Sequence, residues 1–375
     1  MLYLPAEFPQ DPDLCYLNHA AVAPWPKRTA EAVQKFAFEN MTTGAEGYLS
    51  WLEQDQSIRE RMAWLINAPS SDDIALIKNT SEGLSFVASG IQWSHGDEII
   101  GIADDFPSNR MVWESLSEQG VRFNTVVTNS FDDPEGALIG AITNKTRLMA
   151  ISSVHFATGV KLDLVRISQA CRNANVLLCV DAIQSLGAQS FDLSTVSADF
   201  VIADGHKWML GPEGIGLFYV NPQIRNDLSI HEFGWAMREN RADYSDAPWQ
   251  LARSARRFEC GSPNMLGIFA LDQSLSLIQD VGFDQIEKRL SENMELLRRG
   301  LLAIPGCQIR TPESAQAGIL AFSFQGVDSE SLYQKLMKTR VICASRGGFV
   351  RLSPHFYTSK NVINTAIDII RHIIQ

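Results

Sequence analysis

Hydrophobic residues in the first 220 positions cluster in short runs that polar residues or glycine interrupt. Runs of this length are typical of strands buried on both faces of a parallel sheet. Stretches with helical periodicity lie between several of them, for example at 81–91, and this alternation predicts an α/β fold. The predicted strands cover residues 73–78, 98–103, 148–154, 176–180 and 200–203.

The pattern changes after about residue 265, where helices become longer and more amphipathic. The predicted elements are a helix at 285–302, a strand at 318–324, a helix at 329–338, strands around Val341 and Val350, and a helix at 361–374. This mixture predicts a smaller α+β domain. We therefore expect an N-terminal arm (1–15), a large ligand-binding domain (16–264) and a small C-terminal domain (265–375).

Charge and composition narrow the function classes. The formal net charge of the 375 residues is -11, which argues against a nucleic-acid or anionic-membrane partner. A local phosphate site stays compatible with this charge, because backbone dipoles can bind phosphate inside an acidic protein. We see no signal peptide and no run long enough to span a bilayer. The six cysteines show no metal-type spacing, so we expect reduced thiols, no metal and a cytoplasmic protein.

Two predicted strands end in residues that carry chemistry. The run at 176–180 leads to Asp181, and the run at 200–203 leads to Lys207. Ligands of α/β sheets bind at the carboxyl ends of strands. A lysine can form a Schiff base with the aldehyde of pyridoxal phosphate, while a carboxylate keeps the pyridine nitrogen protonated. By themselves, however, Asp181 and Lys207 could also be ordinary strand-end residues.

The segment around the lysine, GHKWMLGPEGIG, resembles the lysine segment of class V aminotransferases. This group of fold-type I enzymes includes cysteine desulfurases, kynureninases and isopenicillin-epimerase-like enzymes. The resemblance extends from about residue 15 to 360. It implies a large, mainly parallel α/β/α domain, a smaller C-terminal domain, pyridoxal phosphate as cofactor, and catalytic roles for Lys207 and Asp181.

The resemblance also assigns the residues that hold the cofactor. Thr80 and Ser81 match a phosphate-binding helix start, His206 matches a phosphate-contacting histidine, and Gln184 matches the partner of the phenolic oxygen. Phe106, in an FPSN segment, is the candidate for stacking on the ring. Asp204 stands where desulfurases carry a phosphate-binding hydroxyl residue, and we expect its carboxylate to point elsewhere.

Ser262 lies in FECGSPN, which resembles a segment whose hydroxyl residue binds the phosphate of the neighbouring subunit. The resemblance therefore implies a homodimer with shared active sites. A local turn preceding a helix is the simpler alternative for Ser262.

Other residues are candidates for contact with an amino acid substrate. Arg351 starts an RxSxxxY pattern that resembles the segment whose arginine binds the substrate α-carboxylate, and a guanidinium suits that task because it can donate two parallel hydrogen bonds. Asn18 is a further candidate by resemblance, and for His155 substrate contact and a structural role are equal alternatives. Chemistry that needs a second base has His19, His155 and Tyr357 as candidates.

One departure concerns the best-known activity of this group. Cysteine desulfurases carry a mobile loop with a sulfur-accepting cysteine between two arginine segments. Here only GGFV separates Arg346 from Arg351, and Cys343 falls in a predicted strand. We therefore do not expect a persulfide on the protein.

Together these features predict a pyridoxal-phosphate enzyme that acts on an amino acid, with an aminotransferase-type reaction as the first expectation. An epimerase and a C–S or other β-lyase remain open, because all three reactions use Lys207, Asp181 and Arg351. A non-catalytic binding protein on the same fold is the alternative from another class, and the intact lysine argues against it.

Overall fold

The computed structural model describes residues 4–128, 132–241, 248–313 and 317–375. The α-helices are α1 (Leu4–Glu7), α2 (Lys27–Thr43), α3 (Tyr48–Leu65), α4 (Thr80–Gly90), α5 (Ser108–Glu114), α6 (Pro134–Gly140), α7 (Leu164–Asn173), α8 (Met265–Val281), α9 (Phe283–Leu302), α10 (Ser329–Lys338) and α11 (Lys360–Ile374). The strands are β1 (Cys15–Tyr16), β2 (Ile74–Ile77), β3 (Glu98–Ile102), β4 (Arg122–Val126), β5 (Thr146–Ser152), β6 (Leu177–Asp181), β7 (Phe200–Asp204), β8 (Gly216–Val220), β9 (Cys307–Ile309), β10 (Leu320–Phe324), β11 (Val341–Ile342), β12 (Ala344–Arg346) and β13 (Phe349–Leu352).

The described residues form a central seven-stranded sheet in the order β2-β8-β7-β6-β5-β3-β4. Strand β8 runs antiparallel to both of its neighbours, and the other pairings are parallel. Every residue of β3, β7 and β8 is buried, which explains why these strands are almost entirely apolar. The predicted α/β fold with a mainly parallel sheet is confirmed.

A second, antiparallel sheet forms in the C-terminal part of the described chain, in the order β12-β13-β10-β9. Its apolar face packs against α9, α10 and α11 in a separate hydrophobic cluster that includes Leu297, Phe322 and Ile367. The N-terminal strand β1 pairs in parallel with β11, and Asn18 forms a bridge with Ser353. The entry segment of the chain is therefore attached to the C-terminal part. The exact domain boundaries remain a prediction.

Local sequence accounts for several helix ends. Side-chain oxygens of Asn79, Asp163, Asp328 and Ser359 accept backbone N–H groups at the starts of α4, α7, α10 and α11. Glycines with positive φ follow α2 and α8, where the chain must leave the helical conformation. Among the described residues, no helix has both the length and the apolar character needed to cross a membrane.

Candidate active site

Strand pairing brings the predicted lysine and acid to one edge of the central sheet. β6 ends at Asp181 and its parallel neighbour β7 ends at Asp204, three residues before Lys207. The N-terminus of α4 approaches the same edge, and Thr80 Oγ1 accepts the backbone N–H of Asp204 at 3.2 Å. These elements surround a cavity of about 270 Å³. Eight predicted site residues line it: Thr80, Ser81, Phe106, Asp181, Gln184, His206, Lys207 and Arg351.

The Lys207 side chain is buried at the base of this cavity, with 9% of its surface exposed. Burial lowers its pKa from 10.5 to about 8, because desolvation disfavours the ammonium form. Asp181 opposes this shift, while the nearby Arg351 adds to it. The turn after the lysine is closed by a 3.0 Å hydrogen bond from Leu210 N–H to the Lys207 carbonyl, and Leu210 adopts a left-handed φ of 62°. The backbone at the lysine is therefore fixed, and burial shifts the amine towards its neutral form.

Asp181 is buried, and each of its carboxylate oxygens accepts a hydrogen bond. Oδ1 accepts the backbone N–H of Ile183 at 3.0 Å, and Oδ2 accepts Asn109 Nδ2 at 2.7 Å. Burial raises the pKa of this carboxyl, while the two donors and Lys207 lower it. The hydrogen bonds thus favour an anion that can partner a protonated ring nitrogen.

A second buried carboxylate lies behind Asp181. Asn109 also donates to Ser152 Oγ at 3.1 Å, and the Ser152 hydroxyl donates to Asp105 at 2.7 Å. Burial, assisted by the charge of Asp181, raises the pKa of Asp105 to about 7. Asp105, Asn109 and Ser152 were not among the site residues predicted from sequence. The only local signal was the FPSN segment, which contains Asn109 beside the predicted Phe106.

The start of α4 offers the donors expected of a phosphate site. Asn79 caps the helix, so the backbone N–H groups of Thr80 and Ser81 begin a helix whose dipole favours an anion. His206 lies opposite on the cavity wall. Asp204 also lines the cavity, with Oδ2 3.2 Å from His206 Nδ1 and Oδ1 accepting Gly205 N–H at 2.8 Å. That its carboxylate points away from the phosphate stays a prediction.

Aromatic rings and a guanidinium form the remaining walls. The Phe106 ring is 43% exposed, with its centroid 5.7 Å from Lys207 Nζ, and Phe156 packs edge-to-face against it. Arg351 is 2% exposed, and its Nη1 donates to the Phe156 carbonyl at 2.5 Å. Its Nε is buried without a hydrogen-bond partner. A buried, unpaired guanidinium donor on a cavity wall is suited to a carboxylate ligand.

Other predicted residues do not line the cavity. His155 is buried, with Nε2 2.9 Å from the Asp104 carbonyl and Nδ1 2.9 Å from Thr158 Oγ1, so both ring nitrogens are engaged. His19 and Tyr357 hydrogen-bond each other at 2.7 Å, and burial lowers the pKa of His19 to about 4. Asn18 bridges to Ser353 on the side of the C-terminal sheet.

Ser262 also lies outside this cavity. It is exposed on a separate surface cavity of about 420 Å³, which Lys78 and Gly214 also line. Lys78 is followed by Asn79, and Gly214 is preceded by Glu213; Asn79 and Glu213 both line the first cavity. The two cavities are therefore lined by residues that are adjacent in sequence.

None of the six cysteines, all of which lie among the described residues, is positioned as a mobile thiol at the cavity. Cys343 is 2% exposed between β11 and β12, and burial raises its pKa to about 12. The β12–β13 connection consists of Gly347 and Gly348, both with positive φ. Such a tight hairpin leaves no room for a long acceptor loop.

The residues present fit pyridoxal phosphate. A buried lysine with a lowered pKa suits an aldehyde, and the hydrogen-bonded Asp181 suits the ring nitrogen. The capped α4 terminus suits the phosphate, and the exposed Phe106 face suits the ring. The Arg351 guanidinium on the cavity wall is then left for the carboxylate of an amino acid.

Comparison with known proteins places the chain among enzymes with this chemistry. The model of the family described as "Aminotransferase class-V" matches residues 15–360. A "Probable cysteine desulfurase" of Methanothermobacter thermautotrophicus is 29% identical over 374 residues, covering 94% of this chain and 92% of that protein.

Solved structures of C-DES superpose on the chain with a TM-score of 0.91 at 22% identity. One carries glycine covalently linked to the PLP cofactor and covers 98% of each chain. The other is described as a complex of the cystine C-S lyase C-DES with its product cysteine persulfide, and it covers 97% of this chain and 99% of that one. At this identity the superposition establishes the fold.

Proposed function

The chain belongs to the aminotransferase class-V family of pyridoxal-phosphate enzymes, and from this premise we propose that it is a C–S β-lyase acting on cysteine or cystine. The observation that carries the proposal is the two-glycine β12–β13 hairpin. It lacks a cysteine, and Cys343 beside it is buried with a raised pKa. Sulfur cleaved from the substrate is therefore released as a small molecule and not held on the protein.

The proposed reaction is a β-elimination. The α-proton is removed, the Cβ–S bond breaks, and its electron pair leaves on sulfur, which departs as sulfide or, from cystine, as cysteine persulfide. Water then converts the three-carbon fragment to pyruvate and ammonia, so that no oxidant or reductant is needed. The bound cofactor supplies the electron sink for this chemistry.

The chain contributes binding and proton transfer. Arg351, which lines the same cavity as Lys207, holds the α-carboxylate and so keeps the substrate within reach of the amine. The Lys207 amine, whose pKa burial lowers to about 8, takes the α-proton in its neutral form. Asp181, held as an anion by Asn109, retains a proton on the ring nitrogen.

The assignment of a sulfur-containing substrate is based on similarity to known proteins and not on a contact in the cavity. Cysteine desulfurases are among the relatives, with 25 to 29% identity over most of the chain. These relatives are named as cysteine desulfurases, which points to cysteine as the substrate. Because the described chain lacks a suitably placed acceptor thiol, we favour cleavage of the C–S bond without a protein persulfide.

We further propose a homodimer. Ser262 is exposed on the outer surface beside the phosphate-binding end of α4, where a second copy could bring its own cofactor phosphate within reach of the hydroxyl. The cytoplasm remains our proposed location, supported by six cysteines that are all free among the described residues.

Transamination is the second candidate, and the family to which the chain belongs favours it. Among the described residues that line the cavity, Lys207 is the only amine, and one such group can both remove and return a proton. Epimerisation has weaker support. It calls for a base on the opposite face, whereas His19, His155 and Tyr357 lie behind the walls with their polar atoms engaged.

The experiment incubates the holoprotein with L-cysteine, L-cystine or a panel of other amino acids, with and without a keto acid. We expect pyruvate, ammonia and sulfide or persulfide sulfur in equal amounts without a keto acid, and no sulfur adduct on any cysteine by intact mass. Arg351→Gln should lose this activity while still binding the cofactor. Amino-group transfer that depends on a keto acid would instead identify a transaminase, and a persulfide on Cys343 would overturn the proposal.

A further inference from the structure

The residue that follows the lysine makes an unusual contact with the cavity wall. Trp208 is fully buried, and its indole Nε1 donates to Gln184 Oε1 at 3.0 Å. Gln184 is itself 3% exposed, lines the cavity, and donates from Nε2 to the Ala20 carbonyl at 3.1 Å. The amide thus has a partner at each end.

Donor and acceptor chemistry fixes which way this amide points. An indole N–H can only donate, so its partner on Gln184 has to be the oxygen. A backbone carbonyl such as that of Ala20 can only accept, so its partner has to be the nitrogen. Gln184 Nε2 has two N–H groups, and one of them is taken by Ala20. The second N–H is left for a ligand, to which it can only donate.

Trp208 itself is held rigidly. A side chain at Gly318 would overlap the indole ring, and one at Gly187, which has a φ of 97°, would overlap the Trp208 carbonyl. His355 Nε2 lies 3.1 Å from that carbonyl, and Ala188, Leu290 and Ile319 share the surrounding apolar cluster. The indole can therefore act as a fixed point from which the amide is oriented.

We propose that Trp208 is a positioning residue that locks Gln184 with an N–H toward the cofactor's phenolic oxygen. A locked donor stabilises the anionic form of that oxygen more than the protonated form, because a hydrogen bond to an ionised acceptor is the stronger one. The indole thereby tunes the protonation state of the bound cofactor without touching it. This inference rests on the cofactor site of the proposed function, and it does not depend on which reaction follows.

The test is a pH titration of the visible absorption of the holoprotein. Trp208→Phe keeps an aromatic ring in the cluster but removes the N–H together with part of the indole ring. We expect the absorption midpoint to move up by about one pH unit, because a lost charge-assisted donor costs roughly a factor of ten in the deprotonated form. We expect Gln184→Leu to move it in the same direction.

Trp113→Phe is the matched control. Trp113 is also buried, but its Nε1 has no hydrogen-bond partner and it does not line the cavity. This substitution makes the same change in ring size without removing a hydrogen bond, so the titration midpoint should stay at the wild-type value even where thermal stability falls.

The double variant Trp208→Phe/Gln184→Leu separates orientation from packing. If Trp208 acts through the amide, adding Trp208→Phe to Gln184→Leu leaves the midpoint unchanged. An equal shift of Trp208→Phe in both backgrounds, or no shift with either single variant, overturns the proposal. Absence of C–S lyase activity with the spectral shifts intact would refute the proposed reaction only.

A second measurement serves in case Trp208→Phe does not fold. Gln184→Leu retains Trp208 but deprives its N–H of the acceptor. We expect one of the eight tryptophan indole N–H resonances to move and lose protection from hydrogen exchange in this variant. Eight unchanged indole resonances would contradict the contact on which the inference depends.

Discussion

Lys207 offers the most direct test of the site, because its reactivity follows from its burial. With a pKa of about 8 against an ordinary value of 10.5, roughly half of the amine is neutral at pH 8, compared with roughly 0.3% of an unperturbed lysine. The difference corresponds to a preference for the neutral form of the order of 3 kcal/mol. We therefore expect Lys207 to react with small aldehydes with a midpoint near pH 8 in cofactor-free protein.

Two neighbouring charges allow the reasoning to be checked by sign. Asp181 raises the pKa of Lys207 because an anion favours the ammonium form, and Arg351 lowers it because a cation disfavours that form. Asp181→Asn should consequently move the midpoint to lower pH, while Arg351→Gln should move it to higher pH. A general loosening of the site would move both variants in one direction, towards the value of an exposed lysine.

The assay is reductive methylation of the apoprotein between pH 6 and 11, with Lys207 followed by peptide mass spectrometry. The exposed Lys145 in the same sample reports the effective reagent concentration. A Lys207 midpoint near or above pH 10 would refute the assignment of burial as the cause. Shifts of the two variants in the same direction would refute the assigned roles of Asp181 and Arg351.

Three further predictions follow from the same geometry. Asn109→Leu removes the 2.7 Å donor to Asp181, so kcat should fall roughly 10- to 100-fold, as expected for a lost bond to a charged group, while cofactor binding is retained in an absorption titration. The pKa of Asp105 is raised from 3.8 to about 7 in the folded protein, so the folded state binds more protons than the unfolded state between these pH values. The free energy of unfolding contributed by Asp105 therefore declines as pH rises through that window. In urea titrations of the apoprotein, Asp105→Asn should flatten that decline. Arg351→Lys should raise KM at least tenfold in steady-state assays with an unchanged holoprotein spectrum, because an ammonium cannot reproduce the planar donor pair.

The sequence predicted elements best where they had sharp local limits. Helix α10 has the predicted bounds, since Asp328 caps its start and the apolar spacing is regular. β7 was predicted to within one residue because its apolar run is short and fully buried. The edge strand β4 was not predicted, because its residues Arg122–Val126 are mostly exposed or half-buried and do not alternate. β8 was also missed, because its apolar run directly follows the GHKWMLGPEGIG motif and was interpreted as part of that motif.

The candidate site shows a similar division. Motif residues such as Thr80, Gln184 and Lys207 could be named from sequence, and the fold brings them to one cavity. The hydrogen bonds that orient them could not, because they join positions far apart in the chain. Asn109 and Asp181 are 72 residues apart, and periodicity and composition contain no information about such a pair.

The same limit applies to charge. A net charge of -11 describes a protein that repels anions at long range, yet the cavity wall combines Arg346 and Arg351 with the start of a helix, whose dipole favours an anion. Within about 10 Å, these local charges and dipoles outweigh the overall charge, because screening suppresses more distant groups at physiological salt. The acidic Asp204 also lines this wall, with its Oδ2 3.2 Å from His206 Nδ1. An acidic chain can therefore bind a doubly anionic cofactor and an anionic substrate in one pocket, and composition alone excludes neither ligand.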